Sequence, residues 1–163
     1  MSNPMVFRSA STVPDWKAAV WAGLIAGVVF MMLEMALVTL FMGESPWAPP
    51  RMIAAIVLGG GVLPPPATFD FGIFMVAMVV HFILAVVYAF VFTWIAFRWS
   101  LGIAMFAGAI FGLALYIINF YGLTLVFPWF AMARNLVSIF SHLVFGLVLA
   151  WSYKGFEHLQ PTA

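Results

Sequence analysis

The chain contains no cysteine and very few charged residues. Of its 163 residues only 7% are Asp, Glu, Lys or Arg, whereas soluble domains contain about 25%. The absence of cysteine excludes disulfide bonds, thiolate metal sites, cysteine nucleophiles and covalently attached c-type haem. The net charge is only +1, so the composition predicts no nucleic-acid partner.

The sequence also lacks the short motifs of common enzymes. Neither G-x-S-x-G nor H-E-x-x-H occurs, so the usual hydrolase signatures are missing. The triple glycine at 59–61 has no lysine after it, which separates it from a phosphate-binding loop. The sequence therefore slightly favours a protein that is not an enzyme, and it indicates no catalytic residue.

Most of the sequence consists of long hydrophobic runs. The chain is 66% hydrophobic, with a mean hydropathy of +1.17, and each run exceeds the ~20 residues that cross a bilayer as a helix. The runs are continuous rather than alternating, which favours helices over barrel strands. We predict an all-α polytopic membrane protein, an up-down bundle of four transmembrane helices at residues 16–42, 71–97, 100–127 and 128–153.

These four spans make one predicted domain, 16–153, between polar tails at 1–15 and 154–163. The connection at 43–70 is long for a compact bundle, and such loops usually have structure or function of their own. Within it, Met52–Leu58 is apolar but too short to cross. We predict a short interfacial or re-entrant helix here, which packs on the bundle as a lid or controls access to it.

The positive charges predict the orientation. Arg8, Lys17, Arg98 and Lys154 fall on the side of the termini, whereas only Arg51 and Arg134 fall on the other side. Lysine and arginine are enriched in cytoplasmic segments. Both termini are therefore predicted to be cytoplasmic, which makes the face that carries loop 43–70 the outer one.

One polar side chain interrupts the apolar run of each span. Glu34, His81, Asn119 and His142 all fall ~12–20 Å below the predicted outer ends, at 1.5 Å per residue. A charge at the bilayer centre costs about 2.5–3.5 kcal/mol on insertion scales, so such groups usually face a partner. The common depth predicts a single buried polar site.

Small residues accompany these polar ones at helical spacing. Gly23 and Gly27 precede Glu34, and Gly108 and Gly112 precede Asn119. The fourth span carries such a series as well, consisting of Asn135, Ser138, His142, Gly146 and Ala150. Spacings of three, four and seven place each set on one helix face. We predict that these faces pack together inside the bundle, with Asn119, Asn135 and Ser138 in its polar network.

Several chemistries are compatible with this site. His81 and His142, on diagonal helices, are candidate ligands of haem b. Together with Glu34 they also form a candidate set for zinc or non-haem iron. A Cu(I) variant would add methionine thioethers, from Met31, Met35, Met75 and Met78.

Two interpretations need no cofactor. Glu34 and the histidines are candidates for a proton or ion pathway in a small transporter, because intramembrane ionisable groups mark such routes. Alternatively, the polar core only fixes the helix arrangement of a structural or accessory protein. Aromatic residues form 18% of the chain, and a lipid face rich in them favours a larger membrane complex or a homo-oligomer as partner, besides the bilayer itself.

The chain resembles the YagU-type family of small bacterial inner-membrane proteins. The similar stretches are GLIAGVV at 23–29, HFILAVVYAF at 81–90, FPWF at 127–130 and SIFSHLVFG at 138–146. The resemblance implies a location in the bacterial inner membrane and places His81 and His142 at positions of the family pattern. It implies no biochemical activity and no role for Glu34.

Overall fold

The protein is an all-α membrane bundle. A computed structural model describes residues 13–157, so most of the predicted tail 1–15, including Arg8, and residues 158–163 lie outside the described part. Within 13–157 there is no strand. Five α-helices are formed: α1 Trp16–Leu37, α2 Ala48–Leu58, α3 Phe71–Ala96, α4 Leu101–Ile117 and α5 Leu136–Glu157.

Four segments of the described chain are long and apolar enough to cross a membrane. They are Trp16–Met42, Phe71–Ala96, Leu101–Leu125 and Leu136–Glu157. The first and third exceed their α-helices because each continues as a π-helical turn, Val38–Met42 after α1 and Ile118–Gly122 after α4. The predicted four-helix bundle is confirmed. We call the side that carries α2 the loop face and the side of Asp15 and Glu157 the termini face.

Side-chain caps define where three of these helices begin. Asp15 Oδ1 accepts a hydrogen bond of 2.9 Å from Ala18 N, and Asp70 Oδ1 accepts one of 2.9 Å from Ile73 N. Asn135 Oδ1 does the same for α5, at 3.0 Å from the amide of Ser138. Each cap satisfies an amide that the first helical turn leaves without a backbone partner.

The fourth span differs from its predicted bounds, 128–153. Residues Pro128–Ala133 form a 3-10 segment instead, and α5 starts at Leu136. The Asn135 cap explains this start. At the other end α5 continues to Glu157, and Lys154 is buried, donating to Phe97 O at 2.9 Å and pairing with Glu157 at 2.8 Å.

The predicted short helix in the first loop is present as α2. It carries Pro49 and Pro50 in its first turn, where proline needs no amide partner, and ends at Gly59 with φ +79°. Arg51 donates to Val62 O at 2.7 Å and to Thr68 O at 3.0 Å, which holds the rest of the loop beside α2. This helix packs against α3 and covers the bundle at the loop face.

The four spans form a ring that is open on one side. Helix α1 packs on both α3 and α5, and α5 packs on α4. In contrast, α3 and α4 approach each other at few positions although a short turn joins them. The spans that carry His81 and His142 are therefore diagonal, as predicted, but the ring has a gap between α3 and α4.

We expect the Asn135 cap to contribute measurably to stability. Asn135→Ala removes the acceptor of the Ser138 amide and should lower the free energy of unfolding by about 1 kcal/mol. Asn135→Ser keeps a capping oxygen and should stay close to the original stability. Unfolding of the detergent-purified variants, followed by circular dichroism, compares them. Equal stability of the alanine and serine variants would contradict the assigned cap.

Candidate functional site

Glu34 is buried within the membrane-spanning part of α1. Its side chain is only 5% exposed, and Oε1 accepts a hydrogen bond of 2.7 Å from Ser138 Oγ of α5. Oε2 is also buried and makes no hydrogen bond of good geometry within residues 13–157, although the Ser141 hydroxyl, which lacks such a bond as well, lies close to the carboxyl. A buried carboxyl oxygen without a partner is costly, so this oxygen is the part of the site that is ready to bind a ligand or a proton.

A cavity of about 160 Å³ lies between Glu34 and the loop face. Polar lining comes from Glu34, Asn135 and Ser138 at depth, and from Arg51 and the exposed Glu44 nearer the surface. A water molecule occupies roughly 30 Å³ and needs two to four polar partners. This cavity, which we call the loop-face cavity, is therefore large and polar enough to hold several waters.

A chain of hydrogen bonds continues inward from Ser138. His142 Nδ1 lies 2.8 Å from the Ser138 carbonyl oxygen, which can only accept, so Nδ1 carries the proton. His142 Nε2 then accepts from Asn119 Nδ2 at 3.3 Å, and Asn119 Oδ1 accepts from the Tyr88 hydroxyl at 2.9 Å. These donors point the same way, from Tyr88 to the Ser138 carbonyl oxygen, and the Ser138 hydroxyl makes its own hydrogen bond to Glu34.

His81 lies apart from this chain. Its Nε2 is 2.9 Å from the carbonyl oxygen of Gly27, so Nε2–H is the donor and Nδ1 carries the lone pair. Gly27 precedes Glu34 by seven residues, about 10.5 Å of helix rise. The predicted common depth is thus only approximate. Glu34 and Ser138 lie near the loop face, with His142 one turn deeper and His81 at the level of Gly27.

A second cavity, of about 100 Å³, occupies the gap between α3 and α4. Helix α3 contributes His81, Leu84 and Tyr88 to its wall, and the facing segment contributes Asn119 and Leu123. The rest of the wall is formed by aromatic and aliphatic side chains, namely Phe30, Ile53, Ile56, Ala85, Leu115, Phe120, Phe130 and Phe145, together with His142. We call it the interhelical cavity.

Phe30 separates the two histidines. Its ring centroid is 5.7 Å from that of His81 in a stacked arrangement and 4.8 Å from that of His142 in an edge-to-face one. Phe30 also lines both cavities, as do Ile53, Phe120 and Phe130. These four side chains therefore form a partition between the loop-face cavity and the interhelical cavity.

The arrangement does not fit haem b. Two axial imidazoles must bind the iron from opposite sides with free nitrogen lone pairs. Phe30 fills the space between the rings of His81 and His142, and both nitrogens of His142 already have hydrogen-bond partners. The predicted haem ligands are therefore near one another but do not form a haem site.

The predicted metal set is not assembled either. Across residues 13–157, no group of three His, Cys, Asp or Glu side chains is placed to hold a metal ion. Glu34 bonds to Ser138, whereas His81 bonds to Gly27 about two turns deeper. The separation along α1, which counting from helix ends underestimated, keeps these side chains from sharing one ion.

The predicted polar network is partly assembled. Ser138 and Asn119 join Glu34 and His142 as described, and Asn135 has its main role as the α5 cap while lining the loop-face cavity. Sequence analysis missed Tyr88 and Phe30. Both have a detectable signal, since Tyr88 follows His81 by seven residues and Phe30 precedes Glu34 by four, spacings that share a helix face.

The fold and the site define a multi-pass membrane protein with a polar centre that is reached from one face. Comparison with known proteins adds no family: no family model matches the chain, and no curated protein or solved structure matches it significantly. The resemblance to the YagU-type family stays a prediction.

Proposed function

We propose that this protein takes up protons from the loop face and that Glu34 is the group that binds them. The observation that carries the proposal is the loop-face cavity, which extends from Glu44 near the surface to the buried carboxyl of Glu34. An ionisable group inside a membrane protein that is reached by a polar cavity is typical of proton and ion pathways.

The side chains around Glu34 favour a proton over a metal cation. Calcium takes six to eight oxygen ligands, and magnesium demands near-octahedral coordination. Near its inner end the loop-face cavity offers the Glu34 carboxyl, the Ser138 hydroxyl and the Asn135 amide, too few oxygens for either ion. A proton needs only the one oxygen, Oε2, that makes no hydrogen bond of good geometry among the described residues.

The hydrogen bonds beyond Glu34 hold its surroundings in place. Ser138 donates its hydroxyl to Glu34, and its carbonyl oxygen accepts from His142, which is bonded in turn to Asn119 and Tyr88. Because a carbonyl oxygen has no proton to pass on, these bonds position the side chains and do not form a proton relay. Toward the termini face the bundle is closely packed by small buried residues, among them Ala18, Ala22, Ala89, Ala96 and Ala104, each at most 2% exposed. The conformation is therefore open to protons from one side, and release on the other side requires a change in helix packing.

The predicted orientation gives the direction of uptake. With both termini in the cytoplasm of a bacterium, as the positive charges and the YagU-type resemblance imply, the loop face would be the periplasmic one. Protons would then be taken up from outside the cell. Four membrane-capable helices support a multi-pass location.

Proton flux into liposomes tests the proposal. Purified protein is reconstituted around a trapped pH-sensitive dye, and a potassium diffusion potential provides the driving force. Flux above that of protein-free liposomes is expected, and Glu34→Gln should reduce it about ten-fold or more, because the carboxamide cannot carry the proton. Glutamine still accepts the Ser138 hydrogen bond, so the helix contact is kept.

The matched control is Glu44→Gln, which removes an exposed carboxyl at the mouth of the same cavity. This variant should retain most of the flux. The proposal fails if reconstituted protein adds no flux to that of empty liposomes, or if Glu34→Gln and Glu44→Gln behave alike.

A further inference from the structure

The interhelical cavity is open on the side where α3 and α4 separate. Leu84 and Tyr88 on α3, and Asn119 and Leu123 on the facing segment, are half-buried lining residues on this side. Phe30, Ile53 and Ile56, toward α1 and α2, are half-buried lining residues as well. Helices α3 and α4 both belong to membrane-capable segments. A molecule dissolved in the hydrocarbon of the bilayer can therefore reach this cavity sideways, without passing through the loop-face cavity.

Two hydrogen-bond acceptors are available inside it. His81 is 7% exposed, its Nε2–H is engaged by Gly27 O, and its Nδ1 has no partner within residues 13–157. Tyr88 uses its hydroxyl proton for Asn119, which leaves the phenolic oxygen able to accept. The cavity thus contains two hydrogen-bond acceptors, and a ligand with two donors could bind to both of them.

Both acceptors lie on the same face of α3. Tyr88 follows His81 by seven residues, about two helical turns, and both side chains line the interhelical cavity. A ring with hydroxyl groups on opposite sides has one donor for each acceptor.

We propose that the interhelical cavity binds a quinol, a planar ring with two hydroxyl groups and an apolar tail. One hydroxyl donates to His81 Nδ1 and the other to the oxygen of Tyr88, and the tail leaves between α3 and α4. This site shares Tyr88 with the hydrogen-bond chain that leads from Glu34, but quinol binding does not depend on proton uptake at Glu34.

The walls favour a ring over an acyl chain. Phe30, Phe120, Phe130 and Phe145 all line the cavity, and aromatic pairs gain from edge-to-face and offset contacts. A saturated chain has no donor and would leave the lone pair of His81 Nδ1 buried without a partner. The oxidised quinone lacks hydroxyl donors as well, so the site should prefer the reduced form.

The interhelical cavity is too small to enclose the whole ring of a quinol, so part of the ring must lie in the gap between α3 and α4. A closed cavity of about 150 Å³ admits benzene in another protein, whereas this one measures about 100 Å³. The ring therefore fills the cavity and projects into the gap between α3 and α4. Few close approaches hold these helices together there, so the gap can widen by a small amount.

Binding of a benzoquinol with a ten-carbon tail tests the proposal. The full-length protein is held in lipid nanodiscs under reducing conditions, and equilibrium binding of the labelled quinol is measured. Saturable binding of one quinol per chain is expected, with the matching benzoquinone on the order of 25- to 100-fold weaker, because it loses both hydrogen bonds and each is equivalent to about five- to ten-fold.

Two variants locate the site. His81→Gln keeps an N–H donor near the position of Nε2, facing Gly27 O, but removes the lone pair of Nδ1, and Tyr88→Phe removes only the phenolic oxygen. Each should weaken quinol binding about five- to ten-fold. Tyr121→Phe is the matched control because Tyr121 is 51% exposed and lies outside the cavity lining.

Three results would overturn the proposal. They are the absence of saturable quinol binding to the unmodified protein, equal affinity for quinol and quinone, and unchanged quinol affinity in both variants. Decanol is included as a competitor, and displacement of the quinol by equal concentrations of decanol would also contradict a ring-specific site. Proton flux measured on the same preparation shows whether the Glu34 proposal stands on its own.

Discussion

Gly146→Ala is expected to lower the free energy of unfolding by about 3 kcal/mol or more, the upper range for overpacked sites. Gly146 lies where α5 meets α4. A Cβ atom there would collide with the carbonyl oxygen of Gly108 and lie 2.9 Å from the backbone nitrogen of Gly112. Backbone atoms inside two packed helices cannot rotate away, so the helices themselves would have to separate.

The same substitution should also disturb the hydrogen bonds of His142. A Cβ at Gly112 would in turn meet the carbonyl oxygen of His142, so the α4–α5 contact also sets the position of that histidine. Separation of these helices should lengthen the 3.3 Å hydrogen bond between Asn119 and His142. We therefore expect Gly146→Ala to reduce proton flux as well as stability.

Gly155→Ala is the matched control on the same helix. No atom lies within 4 Å of a Cβ built there, and alanine is favoured over glycine inside helices by about 0.5–1 kcal/mol. In one detergent, the thermal unfolding midpoint should therefore fall for Gly146→Ala and rise slightly for Gly155→Ala. If Gly146→Ala unfolds at the temperature of the unmodified protein, the close contact of α4 and α5 is wrong.

Much of the bundle could be predicted because the bilayer imposes strong constraints. Long apolar runs must be helices in lipid, and the acidic residues Asp15 and Asp70 are placed where helix caps are expected. The glycine pairs were predicted to serve packing, which the contacts of Gly108 and Gly112 confirm. The short apolar stretch Met52–Leu58 also predicted α2 within the loop.

The start of α5 was harder to predict, because residues 128–133 are apolar and can be taken for the first turns of the span. The later start of α5, at Leu136 rather than at residue 128, depends on tertiary contacts of Arg134. Its guanidinium donates to Phe120 O at 2.7 Å and to Thr124 Oγ1 at 3.0 Å, and it lies 4.3 Å from the ring centroid of Tyr121. These bonds provide donors for two oxygen atoms at the end of the preceding span. They join residues 10 and 14 positions apart, so the hydrophobicity pattern does not reveal them.

The open side of the ring was also beyond sequence reasoning. An up-down topology gives the order of neighbouring helices but not how closely α3 packs against α4. The gap arises because small residues on α1, α4 and α5 bring those helices close, whereas α3 meets α4 with larger side chains such as Leu84 and Tyr88. The depth of His142 shifted for a separate reason, since it was counted from a span that starts at residue 128, whereas α5 begins at Leu136.

The absence of native cysteine makes water access to Glu34 directly measurable. Ser138 and Ser141 are on the same helix, less than one turn apart, and both are 0% exposed. Only Ser138 is among the lining residues of the loop-face cavity. Thiol accessibility at these two positions therefore reports the cavity rather than general depth in the membrane.

Ser138→Cys should react with a small, membrane-impermeant thiol reagent on the order of 100-fold faster than Ser141→Cys, because thiol modification requires access as well as thiolate. The reagent is applied to the loop face of reconstituted protein, and labelling is followed by mass. Labelling from the termini face should be slow for both, since closely packed small residues fill that half of the bundle.

The negative charge of an ionised Glu34 would itself suppress the thiolate at position 138 and slow the reaction. Repeating the comparison in the Glu34→Gln background removes that effect, and the Ser138→Cys rate should rise further while the Ser141→Cys rate stays low. If both positions react equally slowly in this background, water does not reach the carboxyl from the loop face. Proton uptake by the proposed route would then be impossible, whatever flux the liposomes show.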